Sequence, residues 1–191
     1  MTPSPELLEG CQNNNRKSQH QLYLLCFSFM MGVCQRYAGN RDDARALVNS
    51  SFLKILQNLN LYRNDIPFEV WVRTILIRTA IDEFRKNKNY RQWVQQQEDL
   101  PAATILGSSE LNAAEHKLDT EYIEQCMNRL PPVSRQVFNL FAIDGYPHKE
   151  IAALLGISEG TTKWHVNFAR QKLKEMILEL LKNEAAIVYE K

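Results

Sequence analysis

The sequence predicts an all-α protein: two small helical domains joined by a linker, the second containing a helix-turn-helix. Three observations carry this reading. No segment alternates polar and apolar residues with period two over strand length, whereas apolar stripes at helical spacing recur along most of the chain. Only seven glycines occur in 191 residues. The helical pattern fades once, over Gln95–Asn112 (QQQEDLPAATILGSSELN), and then resumes, and the chain is long enough for two small domains.

Residues 1–17 are expected to form a flexible N-terminus. A first helix follows, in which Leu22, Leu25, Cys26, Phe29 and Val33 share helical spacing. Its apolar run, LYLLCFSFMMGV, is too short to span a bilayer and reads as a core helix. After Gly39-Asn40, a second stripe comprises Ala44, Leu47, Val48, Phe52, Ile55, Leu56 and Leu59. Asp42 and Asp43 stand at its positive end, where carboxylates are favoured. Asn58–Pro67 (NLNLYRNDIP) reads as a loop. Pro67 suits a first helical turn, and a third helix runs on through Phe68, Trp71, Val72, Ile75 and Phe84 into RKNKNYR. Residues 18–90 are thus expected to form a helical bundle, and 91–118 an acidic linker.

The second domain is expected over 119–182. Tyr122, Ile123, Cys126, Met127 and Leu130 mark one helix, Pro131-Pro132 break it, and Val133–Phe141 gives another. Then comes EIAALLGISEGTTKWHVNFARQKL, whose last helix extends through Met176, Ile177 and Leu180 before a C-terminal tail, 183–191.

That quoted stretch has the form of a helix-turn-helix. Ile151, Ala152 and Leu155 face inward, Ala152 being small enough for close helix approach. Gly156 can take the left-handed conformation that ends a helix. Ile157 plugs the turn, and Ser158 is a good N-cap. The second helix then presents Thr161, Thr162, Lys163, Trp164, His165, Asn167 and Arg170, held down by Val166, Ala169 and Leu173. A recognition helix of this kind reads base edges near its start and braces on phosphates with basic residues.

The net charge of +1 conceals a pattern. Phe84–Arg91 holds Arg85, Lys86, Lys88 and Arg91 and no acid; Lys163–Lys174 holds Lys163, Arg170, Lys172 and Lys174 and none. Between them, Gln95–Glu124 carries seven acids against one lysine. Two basic patches are joined by an acidic tether. The stretch FEVWVRTILIRTAIDEFRKNKNYR also mixes aromatic with basic groups: Arg73, Arg78, Arg85, Lys86 and Lys88 could follow a phosphate backbone. The loop before it offers Tyr62, Arg63 and Asn64. Such a set suits single-stranded DNA, where an unstacked base needs a flat partner; it also fits a core tryptophan beside a solvated charged face.

Other classes are disfavoured. No basic segment followed by an apolar run and a cleavage site opens the sequence, so no signal peptide is expected. Four cysteines (11, 26, 34 and 126) form no Cys-x-x-Cys pair; Cys26 and Cys34, eight apart on one helix face, read as buried thiols, and the chain reads as a soluble protein of a reducing compartment. The four histidines (20, 116, 148 and 165) are scattered. With no glycine-rich phosphate loop, metal-ligand cluster or nucleophile elbow, neither an enzyme nor a metal or other cofactor is expected. His148 and His165 read as DNA-facing or surface residues.

Together these residues resemble the bacterial sigma factors of the extracytoplasmic-function (ECF) class, from about residue 20 to 182. LPPVSRQVF and then Gly145–Leu173 match the class's promoter-recognition domain, region 4, almost without gaps. DDARALVNSSFLKIL corresponds to the helix that docks on the polymerase clamp, and FEVWVRTILIRTAIDEFRK to the promoter-melting helix of region 2.

The resemblance implies a transcription initiation factor whose partners are core RNA polymerase, promoter DNA and an anti-sigma factor. It implies cytoplasmic residence with no membrane insertion of its own. Recognition of the −35 element would fall to Ser158, Thr161, Thr162, Lys163, Trp164, His165, Asn167 and Arg170. Opening of the −10 element would fall to Tyr62, Arg63, Asn64, Arg73, Arg78, Arg85, Lys86 and Lys88, and polymerase docking to Asp42, Asp43, Val48, Asn49, Phe52 and Lys54.

The chain departs from the family pattern in places. Asp43-Ala44-Arg45-Ala46 stands for the usual Asp-Ala-Glu-Asp, and Asn49-Ser50-Ser51 for Gln-Glu and an apolar residue. Arg78 replaces a common asparagine, and Trp164-His165 and Asn167-Phe168 replace a small, arginine-rich pattern. A helix-turn-helix regulator that does not engage polymerase is the alternative. Lys163-Trp164-His165-Val166 resembles the recognition helix of two-component response regulators, but the first domain shows neither strands nor a phospho-acceptor aspartate cluster.

Overall fold

The computed structural model describes residues 1–86 and 120–189, the last ten of these and 120–121 by backbone alone. They belong to two compact units, and among the described residues every regular element is helical. The expected linker, 91–118, and Lys88 lie outside the described residues.

The first unit comprises α1 (Pro5–Gln12), α2 (Arg16–Tyr37), α3 (Arg41–Gln57), a 3-10 turn (Leu59–Leu61) and α4 (Phe68–Lys86). Asparagine side chains start two of these helices. Asn15 Oδ1 accepts from the Lys17 and Ser18 amides at 2.9 and 3.2 Å, and Asn40 Oδ1 accepts from the Asp43 amide at 2.8 Å. Helices α2, α3 and α4 pack on one another. Leu22, Cys26, Met30 and Val33 meet a core that also buries Ala44, Val48, Ile55, Val72, Leu76, Ile77 and Ile81. Leu25, expected in this core, is 45% exposed, because the inward arc of α2 runs through positions 22, 26, 30, 33 and 37 and leaves Leu24 and Leu25 outside it.

Within residues 1–17, expected as a flexible N-terminus, Pro5–Gln12 form helix α1. Ser4 Oγ accepts from the Leu7 amide at 3.2 Å, Pro5 opens α1, and Cys11 is buried. Helix α1 rests on α2, so closely that a Cβ at Gly10 would run into Ser18, and Gln12 Nε2 donates to the Leu59 carbonyl at 3.3 Å. The start signals for this helix stand in SPELLE; it is short, and its stability comes from lying on α2.

The second unit comprises α5 (Thr120–Asn128), α6 (Pro132–Phe138), a π-type turn (Asn139–Ile143), α7 (His148–Leu155) and α8 (Glu159–Tyr189). Helices α5, α6 and α7 all pack on α8. The backbone of α8 continues to Tyr189, so most of the expected tail, 183–191, is helical. The core mixes Val133, Val137, Leu140, Ile151, Leu155, Val166 and Ala169 with the buried polar residues Ser134, Arg135, Gln136, Asn139, Thr162 and His165.

Candidate nucleic-acid interface

The turn between α7 and α8 forms as its residues dictate. Gly156 has φ +65°, and the Ile157 amide donates to the Ala152 carbonyl at 3.1 Å. Ser158 then caps α8, its Oγ accepting from the Thr161 amide at 3.0 Å and lying 2.8 Å from Thr161 Oγ1. From this start α8 sorts its side chains sharply. Lys163, Asn167 and Arg170 are exposed at helical spacing, Ser158 is exposed beside them, and Thr161 is half-buried.

Two residues expected on that face are inside the protein. Thr162 is fully buried and His165 is 1% exposed. Thr162 Oγ1 donates to the Glu159 carbonyl at 2.8 Å and lies 3.0 Å from His148 Nδ1. His165 Nδ1 is 2.9 Å from Ser134 Oγ of α6. Neither side chain can reach a base from there. Burial pushes the His165 imidazole down to a pKa of about 4, so it is neutral at pH 7. The reason is positional: with Val166 and Ala169 facing in, positions 162 and 165 fall on the same inward arc. Trp164 lies on the flank, half-buried and stacked on Phe168 with centroids 5.1 Å apart and planes at 18°. Its indole nitrogen is buried without a hydrogen-bond partner.

Phe141, outside the expected set, supports the exposed face. It lies under the Arg170 guanidinium at 5.7 Å and stacks on the His148 ring at 4.5 Å. Phe141 read in the sequence as the end of a helix stripe, which hides its role as a platform.

In the first unit, the loop before α4 is built on aromatic contacts. The Tyr62 ring lies 5.0 Å from Phe68 and 5.3 Å from Trp71, and its hydroxyl donates to the Ile66 carbonyl at 3.0 Å. Arg63 and Asn64 are exposed beyond this cluster. Along α4, Arg78, Arg85 and Lys86 are exposed, whereas Arg73 is half-buried with its guanidinium 5.4 Å over Phe29. Lys86 pairs with Glu83 at 3.0 Å.

On α3, Asp42, Asp43 and Asn49 are exposed, and Asn49 Oδ1 accepts from the Tyr23 hydroxyl at 3.1 Å. Val48 is fully buried and belongs to the core rather than to a docking surface. Phe52 is half-buried, edge-on to Tyr23 at 5.0 Å, and Lys54 pairs with Asp82 of α4 at 3.5 Å. Leu53, absent from the expected set, is 56% exposed on this helix.

Comparison with known proteins places this architecture. The family model described as Sigma-70 region 2 matches residues 22–90, and that described as Sigma-70, region 4 matches residues 120–173. RNA polymerase sigma factor CarQ of Myxococcus xanthus is 26% identical over 152 residues, 79% of this chain and 84% of that one. ECF RNA polymerase sigma factor EcfG of Rhodopseudomonas palustris is 29% identical over 140 residues, 73% of this chain and 74% of that one. RNA polymerase sigma factor SigV of Bacillus subtilis is 28% identical over 178 residues, 93% of each chain. A solved structure of the sigma factor RpoE in complex with the anti-sigma factor NepR, from Bartonella quintana, aligns with TM-score 0.49 at 23% identity, covering 83% of this chain and 95% of that one.

A two-unit helical protein with these matches is a transcription initiation factor, one that binds core RNA polymerase and directs it to promoters. The chain belongs to the sigma-70 family, in its ECF class. The alternative of a regulator working without polymerase is thereby set aside. Among the described residues no helix is long and apolar enough to cross a membrane.

Proposed function

We propose that the work of initiation is divided between the two units at the level of the residues above. Ser158, Thr161, Lys163, Asn167 and Arg170 meet the −35 element in the major groove, while Thr162 and His165 act from inside as supports. The loop 58–67, with Tyr62, Arg63 and Asn64, receives a flipped base of the −10 element, and Arg78, Arg85 and Lys86 follow the separated strand. Asp42, Asp43 and Asn49 of α3 dock on polymerase, with exposed Leu53 and the edge of Phe52 as the apolar part of that contact. The protein works in the cytoplasm without catalytic chemistry of its own, and an anti-sigma factor restrains it, as in many members of the class.

The observation that carries this reading is the sorting on α8. Between 160 and 171 its exposed residues are Lys163, Asn167, Arg170 and the bracketing Gly160 and Gln171, a polar and basic surface flanked by the half-buried Trp164 and Phe168. The test is the double variant Lys163→Ala, Arg170→Ala. Two lost contacts of roughly 1–3 kcal/mol each lower promoter affinity by at least about tenfold. Promoter-specific run-off transcription should then fall away while core polymerase is still captured in full. Lost capture would overturn the assignment of the second unit to DNA.

A further inference from the structure

His148 stands beside the proposed −35 face without belonging to the set that reads it. It is the first residue of α7, and its ring lies flat on Phe141, with planes at 18°. Its Nδ1 is 3.0 Å from Thr162 Oγ1. That hydroxyl has one hydrogen and also lies 2.8 Å from the Glu159 carbonyl. Both contacts are made together only when Nδ1 of His148 carries a proton and Thr162 Oγ1 accepts it. In that tautomer the other nitrogen, Nε2, is a bare acceptor on the neutral ring and an N–H donor once the ring is protonated.

The surroundings suit an anion. The Phe141 ring that stacks on His148 also carries the Arg170 guanidinium. From α8, Lys163 and Arg170 face His148 as cations and Glu159 as an anion; on α7 itself the neighbouring charges are the exposed Lys149 and Glu150. No side chain caps α7, so its first N–H groups add positive partial charge at the same end.

We propose that His148 is a phosphate-binding residue of the DNA interface, taking up a proton at Nε2 as the second unit seats on duplex DNA and adding to the charge of Lys163 and Arg170. The proposal rests on the reading of α8 as the DNA-binding face. In the free protein burial, first, and then Lys163 hold the imidazole below its ordinary pKa, with Arg170 adding to them and Glu159 opposing. A phosphate offsets those cations and brings negative charge of its own, so the bound ring keeps its proton to higher pH. The added affinity is complete below the free-state pKa and is lost as pH rises through the bound-state value.

The experiment titrates the full-length protein against a short fluorescent duplex that it has itself selected from a random-sequence pool, at fixed salt, between about pH 6 and pH 8. Wild type should bind more tightly as pH falls, by up to about tenfold per unit. His148→Asn, whose amide replaces Nδ1 at Thr162 but offers nothing at Nε2, should bind with no slope, at the wild-type level of high pH. A flat wild-type profile, or the same slope in His148→Asn, overturns the proposal. Absence of duplex binding at every pH overturns the reading of α8 itself. Should His148→Asn melt early, the His148 resonance of wild type is followed with pH instead. A pKa raised by saturating duplex supports the proposal, and an unchanged one overturns it.

Discussion

Ser51 shows how one position can be read correctly as a departure and still be misplaced in its consequence. It stands where the ECF pattern carries an apolar residue, on the helix expected to dock. The structure turns it inward: it is fully buried, and its Oγ has no hydrogen-bond partner. An unpaired buried hydroxyl costs about 1–3 kcal/mol relative to a satisfied one, and removing it is neutral or favourable. Ser51→Ala should therefore raise the urea midpoint of the first unit, by the equivalent of about 1 kcal/mol. A lower midpoint would mean that the hydroxyl has a partner in solution. The same inward turn separates Val48 from Asn49, its exposed neighbour, so the proposed docking surface is limited to the arc of α3 that faces out.

At the scale of elements, α8 is both the proposed DNA-reading helix and a core helix, and the polar seam beneath it is what joins the two roles. Ser134–His165 ties it to α6, and Thr162–His148 ties it to the start of α7. His165 makes that seam sensitive to acid. Its folded pKa is about 4, whereas an unfolded histidine titrates near about 6.5. The unfolded chain then binds more protons across that window. The stability from a neutral buried ring is fully present above the unfolded value and is lost as pH falls towards the folded one. The loss amounts to about 3 kcal/mol over the window. Amide exchange in α6–α8 should accelerate between pH 7 and pH 4.5, after correction for intrinsic rates, and less so in His165→Gln. Equal acceleration in both would move the cause elsewhere.

For the whole molecule, the balance of charge decides what each unit can bind. The net charge of +1 suits a protein that borrows most of its DNA affinity from the polymerase it joins, since weak free binding avoids idle occupation of the genome. On the proposed docking side the family's acidic pattern is broken at Arg45 and Ala46, and both are exposed on α3. Restoring the acids, Arg45→Glu with Ala46→Asp, should strengthen capture of a generic core polymerase by several-fold, more at low salt than at high. Unchanged or weaker capture would show that this chain meets its polymerase by a different surface, with Leu53 the first residue to substitute.

Much of this was legible in the sequence. Apolar spacing marked the helices of both units, because a helix that buries one face must repeat about every 3.6 residues. Gly156 and Ser158 marked the turn, because a left-handed cap and a side-chain acceptor are local requirements met by few residue types. Helix α1 was missed although SPELLE carries its start signals, since a helix so short persists only by packing on α2. The direction of each polar side chain was decided by tertiary structure alone. Thr162, Lys163, Trp164 and His165 are equally plausible DNA contacts as letters. Only the packing of α6 and α7 against α8 puts Thr162 and His165 in the core, Trp164 on the flank and Lys163 in solvent, because a side chain's partners are set by elements distant in the chain.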